Sequence, residues 1–154
     1  MQPARRVAIS AMLVCAALLL SYLESMLPPF PIPGIKPGLA NIAILVALYK
    51  MGTPAALYVN LARILLAGFM FGNPVSIMYS VAGALLSLLA MAILKQTKLF
   101  SEIGVSMAGG VFHNVGQTAA EALIMQEAGI FYYYTPFLVP AGVATGAFVG
   151  IVAV

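Results

Sequence analysis

Long apolar runs limit what this chain can fold into more than any other feature of its sequence. Proline, glycine and charged residues divide these runs, and a helix that crosses the hydrocarbon core of a membrane needs about 20 apolar residues. Of the 154 residues, 63% are apolar and 7% are charged, so a water-soluble domain could not bury this surface. We therefore predict an all-α fold, a polytopic membrane helix bundle in which six transmembrane helices form one integral membrane domain over residues 1–154. The predicted helices cover approximately residues 7–27, 38–49, 55–71, 74–94, 101–125 and 134–154.

The segment from Pro28 to Pro37 separates the first two predicted helices. It contains five prolines and one glycine, which cannot form an ordinary helix, so we predict a stiff, extended loop. At 1.5 Å per residue, the helix that follows would reach only about 18 Å, which is short of a full crossing. That helix is therefore expected to be half-inserted or to lean on its neighbours.

The basic residues outside the third helix predict the orientation, because positive side chains are retained on the cytoplasmic side of a membrane. If the N-terminus is cytoplasmic, Lys36 lies outside and five basic residues lie inside: Arg5, Arg6, Lys50, Lys95 and Lys98. We therefore predict a multi-pass protein of the cytoplasmic membrane with both termini cytoplasmic and the proline-rich loop outside. The run from Tyr132 to Tyr134 is interpreted as an interfacial aromatic belt, with ligand stacking as the less favoured alternative.

The fifth predicted helix carries the densest group of polar side chains. His113, Gln117 and Glu121 follow one another at intervals of four residues, and Asn114 and Thr118 lie beside them. At roughly 100° per residue, these five residues, the polar strip, fall within an arc of about 140°. Asn114 or Thr118 alone would suit hydrogen bonding between helices. Because the strip also contains an imidazole and a carboxylate, we interpret it as the lining of a pocket or of a proton path.

Arg63 lies near the centre of the third predicted helix, where it needs a partner because arginine cannot lose its proton. Glu24 and Glu121 are the two candidates, since both are predicted to lie in the outer half of the membrane. A structural ion pair and direct contact with a ligand are equal alternatives for Arg63.

Three polar residues around the proline-rich segment complete the predicted site. Glu24 ends the first helix, Lys36 lies near the end of the loop, and Asn41 opens the second helix. Together with the polar strip, they outline an outward-facing cavity beneath the loop. The predicted ligand-binding residues are Glu24, Lys36, Asn41, Arg63, His113, Asn114, Gln117 and Glu121.

Small residues recur at intervals of four on the first predicted helix, which lets another helix approach closely. The pairs are Ala4 with Ala8, Ala11 with Cys15, and Ala17 with Ser21. The approaching helix belongs either to this chain or to another subunit. Four of these residues are predicted to contact a partner helix: Ala4, Ala8, Ala11 and Cys15.

Three segments carry motifs that are more specific than hydropathy. They are E-S-M-L-P-P-F-P-I-P-G-I-K-P-G-L-A-N-I from Glu24 to Ile42, R-I-L-L-A-G-F-M-F-G-N-P from Arg63 to Pro74, and G-V-S-M-A-G-G-V-F-H-N-V-G-Q from Gly104 to Gln117. With their P-G-x-K-x-G-L-A-N and H-N-x-G-Q patterns, they resemble the Gx transporter family, which is also labelled heptaprenyl diphosphate synthase component I. The resemblance covers nearly the whole chain.

That family is similar to the substrate-binding S components of energy-coupling factor (ECF) transporters, which have six helices, cytoplasmic termini and an exterior-facing pocket. The resemblance implies a transmembrane coupling protein and ATPase subunits as partners, besides the lipid bilayer and a small-molecule ligand. It also implies a polar signature for the family, which in this sequence is Glu24, Lys36, Asn41, Arg63, His113, Asn114 and Gln117.

The residue types that the chain lacks argue against an enzyme. Its four acidic residues are all glutamates, so it has no aspartate-rich cluster to bind magnesium diphosphate in a prenyl diphosphate synthase. It has no G-x-x-x-x-G-K-[ST] loop, so ATP-driven work requires partner subunits. One histidine and one cysteine argue against a dedicated metal site, and we predict no metal, no cofactor and no nucleic-acid partner.

These patterns predict a membrane-embedded binding subunit of a transporter that captures a small organic nutrient or cofactor precursor from outside. The alternative is a non-catalytic membrane subunit that accompanies a prenyl diphosphate synthase or a flavin or quinone electron-transfer system. A third and weaker interpretation is a proton or metal pathway through His113 and the glutamates.

Overall fold

The computed structural model describes residues 3–28 and 37–154. These residues form six α-helices and no strand. The helices are α1 (Pro3–Met26), α2 (Ala40–Lys50), α3 (Thr53–Phe71), α4 (Pro74–Thr97), α5 (Glu102–Ile124) and α6 (Ala128–Ala153). The all-α prediction is confirmed over these ranges, whereas the predicted extended loop falls mainly on residues outside them.

Three helix boundaries differ from the prediction, and the others agree within two residues. α6 begins at Ala128 rather than Tyr134, because Glu127 precedes it as an N-cap and accepts a hydrogen bond from the Gly129 amide at 3.3 Å. α1 begins at Pro3, since proline is tolerated in the first turn of a helix. α4 continues to Thr97 and stops at Lys98, which adopts a left-handed conformation with φ of 56°.

Four of the described helices are long and apolar enough to cross a membrane: α1, α3, α4 and α6. α5 has 23 residues and is not in this group, because its polar strip lowers its hydropathy. α2 has 11 residues, which span only about 16 Å, so its predicted shortness is confirmed. These are the helices of a membrane protein, while the count of six crossings stays a prediction.

The helices form a closed ring. α1 packs against α3, α3 against α4, α4 against α5, α5 against α6, α6 against α2, and α2 against α1. α2 also contacts α3, and six of its eleven residues are buried: Ala40, Ala43, Ile44, Leu45, Ala47 and Leu48. The short α2 is therefore held by its neighbours, as one of the two predicted alternatives requires.

Hydrogen bonds identify the two ends of the ring. At one end, Arg6 Nη2 donates to the Met51 carbonyl at 3.4 Å, and Lys95 Nζ donates to the Leu48 carbonyl at 2.6 Å. We call this the basic end. At the opposite end, the carboxylate of Glu24 in α1 accepts a hydrogen bond from the Gly38 amide just before α2. We call this the Glu24 end. The predicted orientation places the basic end in the cytoplasm.

α5 and α6 are in backbone contact through glycines. A Cβ atom at Gly142 would lie 2.8 Å from the Gly110 carbonyl oxygen, and one at Gly146 would lie 2.6 Å from the Met107 Cα. A Cβ atom at Gly150 would lie 2.8 Å from the Ile103 Cα. Because only glycine permits such an approach, these residues determine how closely the two helices pack.

Candidate functional site

A cavity lies between the helices near the Glu24 end. Its volume is about 70 Å³, whereas one water molecule needs only about 10–15 Å³. All six helices and the turn before α2 contribute to its wall. The lining residues are Glu24, Gly38, Ala40, Asn41, Arg63, Ser80, Gly110, His113, Asn114, Gln117 and Thr145.

Glu24 ties the end of α1 to the beginning of α2. Its Oε1 atom accepts hydrogen bonds from the Gly38 amide at 2.5 Å and from the Leu39 amide at 3.1 Å. The first amides of a helix have no intrahelical acceptor, and an anion at this end interacts favourably with the helix dipole. The carboxylate therefore holds the start of α2, including Ala40 and Asn41, against the cavity.

Arg63 projects from the middle of α3 into the same cavity. Its Nη2 atom donates to Asn60 Oδ1 at 2.9 Å, one turn earlier on the same helix. Its Nε atom is buried and has no hydrogen-bond partner among the described residues. Of the two predicted partners, Glu24 is the carboxylate whose charge acts on Arg63. The guanidinium thus keeps most of its hydrogen-bonding capacity.

The polar strip of α5 is divided between two roles. His113, Asn114 and Gln117 line the cavity. Asn114 Nδ2 also donates to the Leu138 carbonyl of α6 at 2.8 Å, while buried Thr118 donates to the Asn114 carbonyl at 2.8 Å. Asn114 therefore forms a hydrogen bond between two helices, whereas the hydrogen bond of Thr118 stays within α5.

Two of the predicted ligand-binding residues are not brought into the described cavity. Glu121 is not part of its lining, because it lies one turn, about 6 Å, beyond Gln117 on α5. Its charge acts instead on Tyr79 of α4. Lys36 lies outside the described residues. The other six predicted residues all line the cavity, and their binding of a ligand stays a prediction.

Ser80 of α4 and Thr145 of α6 also line the cavity, although neither is among the predicted site residues. Each is a small polar residue in a helix that is mostly apolar. Thr145 donates to the Ala141 carbonyl at 2.9 Å, a bond that any helical threonine can form within its own helix. Such residues give only a weak signal in a sequence, because the same types occur in helices that face lipid.

The small residues of α1 separate into two faces. Ala17 and Ser21 are buried against the rest of the bundle. The four residues predicted to contact a partner helix are all exposed on the described chain: Ala4, Ala8, Ala11 and Cys15. Within this chain, α1 therefore packs against the other helices through Ala17 and Ser21. The remaining two pairs form a surface of small side chains that no described helix covers.

The described residues hold no group of three or more histidine, cysteine, aspartate or glutamate side chains that could bind a metal ion. The cavity instead presents amides, hydroxyls, one imidazole, one carboxylate and one guanidinium. These groups suit hydrogen bonding and charge pairing with a small organic molecule.

Comparison with known proteins supports one assignment. A family model for heptaprenyl diphosphate synthase component I matches residues 13–154. Comparisons with curated proteins and with solved structures give no match. Because the family match covers almost the entire chain and includes every residue of the cavity, the chain belongs to the heptaprenyl diphosphate synthase component I family.

Proposed function

We propose that this protein is a membrane-embedded binding subunit that captures a small organic molecule in the cavity at the Glu24 end. The observation that carries the proposal is the convergence of polar groups from all six helices on one space. Residues far apart in the chain, such as Glu24, Arg63 and Gln117, meet there. A packed structural core would fill this space with apolar side chains instead.

The free hydrogen-bonding capacity of the lining favours binding over helix association. Within the described ranges, the side chains of Asn41, Ser80 and Gln117 form no hydrogen bond, although all three line the cavity. Polar groups at membrane depth are costly unless they are satisfied by protein, water or ligand. Side chains that serve only to hold helices together would be paired across them, as Ser87 is with the Gly109 carbonyl at 2.8 Å.

Delivery of the captured molecule, in the manner of an ECF S component, would require partner subunits. The 154 residues contain no G-x-x-x-x-G-K-[ST] loop to bind ATP. The exposed small residues of α1, Ala4, Ala8, Ala11 and Cys15, form a surface suited to close approach by a helix of a coupling protein. In the predicted orientation, the cavity opens toward the exterior and this surface begins at the cytoplasmic side.

A second candidate function follows from the family match itself. In this alternative the chain is a membrane subunit that accompanies a prenyl diphosphate synthase. The chain would not be the catalytic subunit, because its acidic residues are four glutamates without an aspartate-rich cluster to hold magnesium diphosphate. In that case the cavity would bind a lipid precursor.

Substitution of Gln117 tests the binding proposal. Gln117→Leu replaces an amide that faces the cavity with an apolar side chain of similar size, and we expect ligand affinity to fall about tenfold, or about 1.4 kcal/mol. Glu121→Leu is the matched control, because it places the same side chain one turn further along α5, outside the cavity. We expect its affinity to stay within about twofold of the unmodified protein.

The measurement is ligand-induced thermal stabilisation of the purified protein, followed by titration. The panel contains vitamins, flavins, quinone precursors and short prenyl phosphates. The proposal fails if no member of the panel binds, or if Gln117→Leu and Glu121→Leu bind with equal affinity.

Purification in mild detergent separates the two candidate functions. A transporter subunit should copurify with ATPase subunits and a second membrane protein, whereas the alternative predicts a soluble prenyl synthase. A protein with the Ala8→Leu substitution should lose its partner in the first case, because Ala8 lies on the exposed α1 surface. Recovery of the synthase with an intact Ala8→Leu complex would instead support the second candidate.

A further inference from the structure

We infer that the molecule bound in the cavity carries an anionic group with oxygen acceptors, a carboxylate or a phosphate, and that Arg63 binds this group. The inference rests on the proposed binding function and specifies the chemical class of the ligand. It begins from the one guanidinium in the lining of the cavity.

The guanidinium of Arg63 has more hydrogen-bond donors than its surroundings use. Arginine has five N–H donors, and Arg63 forms one described hydrogen bond, from Nη2 to Asn60 Oδ1 at 2.9 Å. Its Nε atom is buried, and no residue of the ranges 3–28 and 37–154 forms a hydrogen bond with it. Arginine remains charged in proteins, so burial cannot be relieved by loss of a proton. The site therefore holds a cation with most of its donors unused.

Glu24 does not use these donors. Its Oε1 atom accepts from the amides of Gly38 and Leu39, and within the described ranges no carboxylate hydrogen-bonds to Arg63. The charge of Glu24 reaches Arg63 through space, but the carboxylate itself is held at the start of α2. The guanidinium thus remains available for direct contact with an anion.

The other groups around the cavity suit the same type of ligand. The amide groups of Asn41 and Gln117 and the hydroxyl of Ser80 can each donate a hydrogen bond, and none is used within the described residues. Hydrogen bonds between a guanidinium and an oxyanion are short, often bidentate, and about twice as strong as neutral ones. A neutral ligand would displace water from the guanidinium and offer its unused donors weaker acceptors than an oxyanion does.

The test compares ligands that share a carbon skeleton and differ in charge. Butanoate and butyl phosphate are the anionic probes, and butanamide and butanol are the neutral controls, each titrated at constant ionic strength against the purified full-length protein. Thermal stabilisation and the dissociation constant are measured. We expect both anions to bind at least about tenfold more tightly than the neutral compounds. The two anions together distinguish a carboxylate site from a phosphate site.

Three variants assign the effect to Arg63. Arg63→Gln should weaken binding of the preferred anion at least about tenfold, and Arg63→Lys should retain part of the affinity because it keeps the charge but not the planar fork. Arg5→Gln removes an exposed cation from the opposite end of α1 and should bind like the unmodified protein. The melting temperature without ligand shows whether each variant is folded.

Equal binding of the anionic and neutral probes by the unmodified protein would overturn the inference, and this comparison does not depend on any variant. Unchanged anion affinity in Arg63→Gln would also overturn it. If neutral members of the wider panel bind and neither anion does, the ligand class is wrong while the binding function stands. If nothing in either series binds, the proposed function fails as well.

Discussion

Gly110→Ala should lower the free energy of unfolding by about 3 kcal/mol, because its methyl group would meet the Gly142 carbonyl oxygen of α6. The obstacle is backbone, which cannot move aside as a flexible side chain can. Relief therefore requires α5 and α6 to separate along the contact that Gly142 and Gly146 also form. Gly110 lines the cavity as well, so ligand binding should weaken together with stability.

Gly104→Ala is the matched control on the same helix. A Cβ atom at Gly104 would lie 3.6 Å from its nearest neighbours in Phe100 and Ser101, which is an ordinary contact. Since alanine is a better helix former than glycine by up to about 1 kcal/mol, this variant should be neutral or slightly more stable. The free energies are measured by titration with sodium dodecyl sulfate in mixed micelles. Equal stability of the two variants would contradict the close α5–α6 contact.

Glu24→Ala should lower the free energy of unfolding by about 2 kcal/mol, because two amide hydrogen bonds to a carboxylate are lost. The amides of Gly38 and Leu39 would lose their acceptor, and Arg63 would lose the negative charge that acts on it. Glu24→Gln should cost about half as much, since it retains an acceptor oxygen but not the charge. Ligand affinity should fall in both variants, because the start of α2 forms part of the cavity wall.

Ser25→Ala is the control for this position. Ser25 is the next residue of α1, is exposed, and donates to the Tyr22 carbonyl of its own helix at 2.7 Å. Its removal should change stability by less than about 0.5 kcal/mol in the same mixed-micelle titration. A loss in Ser25→Ala as large as in Glu24→Ala would mean that the end of α1 is sensitive to any change, and that the Glu24 bonds to α2 contribute nothing specific.

The helices were largely predictable because their signals are local. Proline and glycine end a helix wherever they lie in the fold, and Asn73 before Pro74 marks the start of α4 through a reciprocal hydrogen-bond cap with Ser76. The predicted start of α6 was wrong because Glu127, with Gly129 two residues later, suits either a connection or a helix cap. The choice depends on a side-chain hydrogen bond that the sequence does not show.

The candidate site was only partly predictable, because it depends on where helices converge. The spacing of the polar strip predicted a shared face for His113, Gln117 and Glu121, but position along the axis of α5 separates Glu121 from the cavity. Arg63 had two possible acidic neighbours in the sequence, and the contact between α1, α2 and α3 favours Glu24. Ser80 and Thr145 could be recognised only after α4 and α6 were placed around the same space.

Apolar length, proline and charge are therefore enough to establish that this chain forms a helical membrane protein with one polar helix face. Each of these properties acts on a segment by itself, through the free energy of burying apolar surface and of leaving backbone amides without partners. Which polar side chains share a cavity is decided by the packing of all six helices. The glycine contacts between α5 and α6 and the hydrogen bonds that Glu24 accepts just before α2 contribute to that packing, and both join residues that are distant in the sequence.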